Sequence, residues 1–293
     1  MFEGAYTAII TPFDNDKIDY KALELIIERQ ISEGIDGIIP MGTTGESPTL
    51  SFEEHEEFIR RTVKIVNRRI KVIAGTGANS TSEAIWLTKG AEDAGVDATL
   101  SVNPYYNKPT QRGLVAHYEA IAKATKLPII LYNIPGRSGI NFLPESVDEL
   151  LKRTDRIAAM KEASGDIAQM MKLIELCGDR LTLLSGDDNL LLPILAIGGK
   201  GIISVLSNLL PADIKKVVTL YRENKTEEAK ALFYKLLPLC RGMFLETNPI
   251  PIKAAMEMTG ACSGELRLPL TPLSDENKMI LKKSLADYGV KLK

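Results

Sequence analysis

Histidine, cysteine and unbroken apolar stretches are scarce in this chain, and each shortage removes a class of function. Only His55 and His117 occur in 293 residues, so a serine-hydrolase triad or a histidine-bound metal has few constructions open to it. His55-Glu56-Glu57-Phe58-Ile59 opens like a zinc-protease helix but carries Ile59 where a second histidine would stand. The three cysteines, Cys177, Cys240 and Cys262, are far apart and form no CxxC pair. They argue against a disulfide framework and for reduced thiols. No uncharged run approaches the roughly 18 residues of a membrane span. Met1-Phe2-Glu3-Gly4 starts neither a basic nor an apolar signal segment, so a cytoplasmic location with no membrane contact is expected. A net charge of −2 gives no overall attraction to nucleic acid. Gly198-Gly199-Lys200-Gly201 lacks the spacing of a P-loop, and no G-x-G-x-x-G follows the first strand signal.

What is present is a regular alternation. Short β-branched and apolar runs recur at Ala5–Ile10, Asp36–Ile39, Lys71–Ala74, Asp97–Val102, Pro128–Tyr132, Arg156–Lys161, Leu181–Leu184 and Gly201–Val205. Helical periodicity fills the gaps, at Tyr20–Glu33 after Asp19, Phe52–Asn67 after Ser51, Glu83–Ala94, Arg112–Thr125, Glu145–Arg153, Ile167–Leu176 and Asn189–Ile197. Ser51 and Glu54 have the spacing of a capping box. Eight strand signals alternating with helices predict an α/β fold, a (β/α)8 TIM barrel over residues 1–223. Beyond it, residues 224–293 show helical signals only and predict a C-terminal helical extension. It would pack beneath the barrel or mediate subunit contacts.

Barrel enzymes hold their chemistry at the C-terminal ends of the strands, and here those ends are the polar ones. Lys161 closes a buried strand, where loss of water favours the neutral, nucleophilic amine; a lysine snorkelling from a strand end is the alternative. Gly42-Thr43-Thr44-Gly45-Glu46-Ser47 can offer backbone N–H groups and hydroxyls to a carboxylate, or form a tight turn with capping threonines. Tyr132, one strand away from Lys161, can relay protons or simply fill the core. Arg137 can clamp a carboxylate through its fork of donors, or stay solvated in its loop. Asp187-Asp188 resembles a metal pair, but capping of the helix from Asn189 is the better reading.

Taken in order, Gly42–Ser47, Asn103-Pro104-Tyr105-Tyr106-Asn107, Tyr132-Asn133-Ile134-Pro135-Gly136-Arg137, Lys161-Glu162-Ala163 and Thr247-Asn248-Pro249-Ile250-Pro251 resemble the dihydrodipicolinate synthase family. That family is one of the pyruvate-dependent, Schiff-base-forming aldolases that include N-acetylneuraminate lyase. The resemblance covers almost the whole chain. It implies condensation of pyruvate with L-aspartate-4-semialdehyde for lysine and diaminopimelate biosynthesis, with no external cofactor and a covalent imine on Lys161. It further implies a relay of Tyr132, Thr43 and Tyr106, the last reaching in from a neighbouring subunit. Thr43, Thr44 and Gly45 would hold the pyruvate carboxylate, Gly186 and Ile203 would line its pocket, and Arg137 would receive the aldehyde's carboxylate. A homotetramer is implied, as is a feedback site for L-lysine at Ser47, His55, Asn79, Glu83 and Tyr105. Phe52 and Pro48 depart from sensitive members there. A sugar-acid lyase of the same superfamily and a non-catalytic keto-acid-binding barrel are the other readings. Arg137 disfavours the lyase, which must accommodate a polyol.

Overall fold

The apolar runs become strands because both of their faces are covered, as parallel strands require. In the computed structural model, which describes residues 2–293, the first is β1 (Gly4–Ala8). A two-stranded antiparallel ribbon follows, β2 (Phe13–Asp14) and β3 (Lys17–Ile18). Then come β4 (Gly37–Ile39), β5 (Lys71–Gly75), β6 (Ala98–Val102), β7 (Ile129–Asn133), β8 (Ile157–Glu162), β9 (Thr182–Ser185) and β10 (Gly201–Ser204). All but the ribbon pair in parallel with their neighbours in chain order, and β10 closes on β1. The expected barrel is therefore present.

Alternation along each strand sorts side chains into two sets. Tyr6, Ala8, Ile39, Ile73, Leu100, Ile130, Tyr132, Ala159, Leu184 and Ile203 fill the barrel interior. Lys161 shares the parity of Ala159, so it points inward at the end of β8. Glu162, of opposite parity, points toward the surrounding helices.

Those helices are α1 (Tyr20–Ser32), α2 (Phe52–Val66), α3 (Thr81–Ala94), α4 (Gln111–Ala124), α5 (Pro135–Ser138), α6 (Pro144–Leu151), α7 (Ile167–Cys177), α8 (Leu191–Ala196) and α9 (Pro211–Arg222). Ser51 and Glu54 form the expected capping box on α2. Helix α3 starts two residues earlier than its periodicity predicts, because Ser80 is the residue that accepts from Glu83 N. The helix expected from Asn189 begins as a 3-10 turn, Asp188–Leu190, ahead of α8. Asp187 caps it as expected, accepting from Asn189 N at 2.9 Å. Its neighbour Asp188 is instead buried, receiving Ser204 Oγ and the N–H groups of Val205 and Leu206.

The C-terminal helices are α10 (Thr226–Gly242), α11 (Ile250–Met258) and α12 (Asp275–Tyr288). Helix α10 lies on α8 and α9 and touches the turn after β9, while α11 touches the turn after β10. The extension thus reaches the C-terminal ends of the strands rather than only the barrel's underside. Phe233, Leu236, Leu239, Ile252, Leu281 and Leu285 share one apolar cluster with Ile9, Leu23 and Phe58. Each such side chain contributes about 1.5–3 kcal/mol by leaving water.

Candidate active site

Strand register sets the centre of the site. Tyr132 on β7 pairs with Lys161 on β8, and the Lys161 Nζ lies 4.2 Å from the Tyr132 ring centroid. Both side chains are buried. Gly186 makes room for this lysine: a Cβ there would stand 3.0 Å from Lys161 Cε and 2.8 Å from Ala163 Cβ. Ile203 completes the interior wall on β10 and is fully buried.

Across the barrel mouth from this pair, after β4, Thr43–Gly45 forms one 3-10 turn between two residues in the left-handed region, Met41 (φ 60°) and Glu46 (φ 55°). The first N–H groups of such a turn have no acceptor within it, which leaves those of Thr43 and Thr44 for a ligand. Gly45 differs: its N–H donates to Gly42 O at 3.1 Å, and its carbonyl accepts from Thr11 Oγ1 at 2.6 Å. Thr44 is buried and its Oγ1 accepts from Asn248 Nδ2 at 3.0 Å. Arg137, on α5, is exposed and donates through Nη2 to Asn248 O at 3.0 Å.

A cavity of about 410 Å³ opens at this mouth, and Lys161, Thr44, Gly45, Gly186 and Ile203 lie outside its wall. Thr43, Tyr132 and Arg137 line it, and so do Ser47, His55, Glu83 and Tyr105. Residues from two of the sets expected from sequence therefore border one continuous space. Asn79 is outside that wall; its carbonyl accepts from Asn107 Nδ2 at 2.8 Å. Tyr106 is also apart. It is 90% exposed and takes φ 70°, a strained backbone for a residue with a Cβ.

Both histidines sit on helices, α2 and α4, but buried rather than on the solvent face. Burial pushes each down to about 4, a hydrogen bond with Gly75 opposing this in His55. His55 Nδ1 and His117 Nε2 have no partner among the described residues. Burial also keeps the thiols protonated, pushing Cys177 and Cys262 up to about 11. Among the described residues no group of three His, Cys, Asp or Glu could hold a metal, and no helix is long and apolar enough to cross a membrane.

Sequence reasoning missed a buried network behind the Tyr132–Lys161 pair. Asn133 and Glu162 are the register partners immediately after Tyr132 and Lys161, facing the helices. Asn133 Nδ2 donates to Glu162 Oε2 at 3.0 Å and to Asn141 Oδ1 at 2.8 Å. Asn103 Nδ2 and Phe142 N donate to Asn133 Oδ1, and Tyr118 donates to Asn103 Oδ1. Ser164 N and Gln169 Nε2 also reach the Glu162 carboxyl. Burial raises the pKa of Glu162, and these donors oppose the rise. The detectable signal was a polar residue directly following each inward-facing one at a strand end. Asp188 is a second buried acid, raised by burial against the donors Ser204, Val205 and Leu206 at the end of β10.

A parallel eight-stranded barrel with a lysine and a tyrosine paired at the C-terminal strand ends defines a class of barrel proteins equipped for amine chemistry on a carbonyl. Residues 1–288 match the model of the dihydrodipicolinate synthetase family, and the chain belongs to that family. It is 57% identical over 275 residues to a 4-hydroxy-tetrahydrodipicolinate synthase of Leptospira biflexa, covering 94% of this chain and 93% of that one. The synthase of Methanocaldococcus jannaschii is 49% identical over 290 residues, 99% of this chain and 100% of the other. The solved synthase of Methylacidiphilum fumariolicum SolV superposes with a TM-score of 0.97 at 51% identity, over 98% of this chain and 96% of that chain.

Proposed function

We propose that this chain condenses pyruvate with L-aspartate-4-semialdehyde to give 4-hydroxy-tetrahydrodipicolinate, in the cytoplasm and on the way to lysine and diaminopimelate. The observation that carries this reading is the buried Lys161 amine against Tyr132, with Arg137 in the loop after the neighbouring β7 and the Thr43–Gly45 turn after β4, across the barrel mouth. A synthase from Acinetobacter baumannii, 41% identical, has been solved complexed with pyruvate.

Lys161 Nζ attacks the ketone carbon of pyruvate, and loss of water leaves an iminium. A proton leaves the methyl carbon, and the resulting enamine carbon attacks the aldehyde. The amine of the second substrate then attacks the imine carbon, closing the ring and freeing Lys161. Tyr132 is positioned to carry protons to and from these atoms, with Thr43 as its partner in the cavity. The free N–H groups of Thr43 and Thr44 receive the pyruvate carboxylate, Gly186 and Ile203 bound the pocket, and Arg137 takes the aldehyde's carboxylate. No step calls for a metal or an external cofactor.

Tyr106 completes the relay from a second copy of the chain. Its exposure and strained backbone support this, because both make sense if a partner surrounds the ring. A homotetramer built from such pairs is our reading of the assembly. L-Lysine is the proposed effector at the Ser47, His55, Glu83 and Tyr105 end of the cavity, with Asn79 nearby. A synthase from Cyanidioschyzon merolae, 39% identical, has been solved with lysine bound.

Borohydride reduction in the presence of pyruvate tests the core of this reading. The peptide containing Lys161 should gain the mass of a reduced pyruvate adduct. An unmodified peptide, or an adduct on another lysine, would overturn it.

A further inference from the structure

Glu46 closes the Gly42–Glu46 motif, yet the chemistry above gives it no task. It is buried, outside the cavity wall, and 207 residues away in sequence from the cation that meets it. Lys253 Nζ on α11 donates to Glu46 Oε1 at 2.6 Å, and both side chains are fully shielded from solvent. Arg267 N donates to the other oxygen at 3.1 Å. Lys253 Nζ and the Arg267 guanidinium both lie over the Phe13 ring, at 4.3 and 4.6 Å from its centroid.

Five residues before Lys253, Asn248 makes two more ties. Its Nδ2 donates to Thr44 Oγ1, and its carbonyl accepts from Arg137 Nη2, both at 3.0 Å. One short segment of the extension thus touches the carboxylate turn twice and the cleft arginine once. A turn flanked by two left-handed non-glycine residues holds its shape only if its surroundings impose it. A buried ion pair is a poor way to gain stability, since apolar residues of like volume often serve as well or better. What it supplies instead is direction.

We propose that Asn248 and Lys253 are positioning residues that fix the Thr43–Thr44 turn and Arg137 relative to one another. Between them they hold the two carboxylate sites in their binding geometry, so that each substrate is received at full affinity. This inference rests on the proposed condensation and deepens it: the C-terminal extension builds the substrate site.

The full-length chain tests it, with pyruvate and the semialdehyde as probes. The unmodified protein must first give the trapped adduct on Lys161; its absence would sink the proposed function and this inference together. In the E46Q/K253M double variant, which removes both charges at similar volume, KM for pyruvate should rise about ten- to a hundredfold. The rate at saturation should stay within about threefold. N248A, which deletes the donor to Thr44 Oγ1 and keeps the main-chain carbonyl that Arg137 reaches, should raise KM for pyruvate about tenfold. Loss of folded protein alone would lower the rate and leave both KM values unchanged. A double variant with native KM for pyruvate, beside a normally trapped unmodified protein, would overturn the positioning role alone. Should the double variant fail to fold, N248A decides: a native KM for pyruvate would overturn the proposal, and a raised one would uphold it.

Discussion

The two ends of the barrel treat charge in opposite ways. At the N-terminal ends of the strands the acids stay in contact with water. Asp36 accepts from Ala5 N at 2.8 Å and pairs with Lys215 at a half-buried site, while Glu3 meets Arg222 at an exposed one. At the C-terminal ends Glu46, Glu162 and Asp188 are all buried, and so are Lys161 and Lys253. Each buried acid holds a different place: Glu46 the turn after β4, Glu162 the ends of β7 and β8, and Asp188 the end of β10. A screened surface pair contributes about 0–1 kcal/mol, whereas a buried charge is tolerable only with its full set of partners. The end that must hold substrates rigidly carries the groups that fail hardest when a partner is lost.

Substitution at Lys161 should break this contrast most severely. Lys161→Met keeps the stem and removes the amine, so condensation should fall by about a thousandfold or more, with no borohydride-trapped adduct. A coupled rate assay and intact-protein mass read both.

The next largest effect belongs to the histidines. Their folded pKa values, near 4, lie below the ordinary 6.5, so between these values the unfolded chain binds more protons. Stability should therefore fall as pH drops from 6.5 to 4, on the order of 3 kcal/mol for each ring. Denaturation midpoints across that window should show a flatter acid arm in His55→Gln and His117→Gln. An unchanged arm would mean the rings are protonated inside the fold.

Glu162 gives an effect of opposite sign. Its folded pKa is raised, so the native chain keeps a proton that the unfolded chain has released. The stability this group adds is present at low pH and is lost as pH rises from the ordinary glutamate range through the raised value. Glu162→Gln should cost about 1–3 kcal/mol, because an amide must face donors from Asn133 and Gln169. The deficit should be largest in acid and shrink toward neutral pH, which thermal melts of both proteins would reveal. At the far end, Arg222→Ala should change stability by less than about 1 kcal/mol and leave turnover untouched.

Legibility divides along the same axis. The strand and helix alternation, the Ser51–Glu54 box and the Asp187 cap all follow from local pattern, and the structure has them. The ribbon Phe13–Ile18 was not legible, since two-residue strands have no period to detect. Helix α5 hides inside Pro135-Gly136-Arg137-Ser138, whose composition reads as a loop. At the site, Thr43, Tyr132 and Arg137 stood out as polar strand-end residues. The groups behind them did not, because Glu46 and Lys253, like Thr44 and Asn248, meet only after the chain has closed on itself.

The guarded thiols carry a practical consequence. With Cys177 and Cys262 held near 11, only on the order of one sulfur in ten thousand is ionised at pH 7. Maleimide reagents should thus pass over the natural cysteines and react with one engineered at position 106 only while no partner subunit covers it. Labelling there would report release of the proposed subunit contact, against an almost silent background.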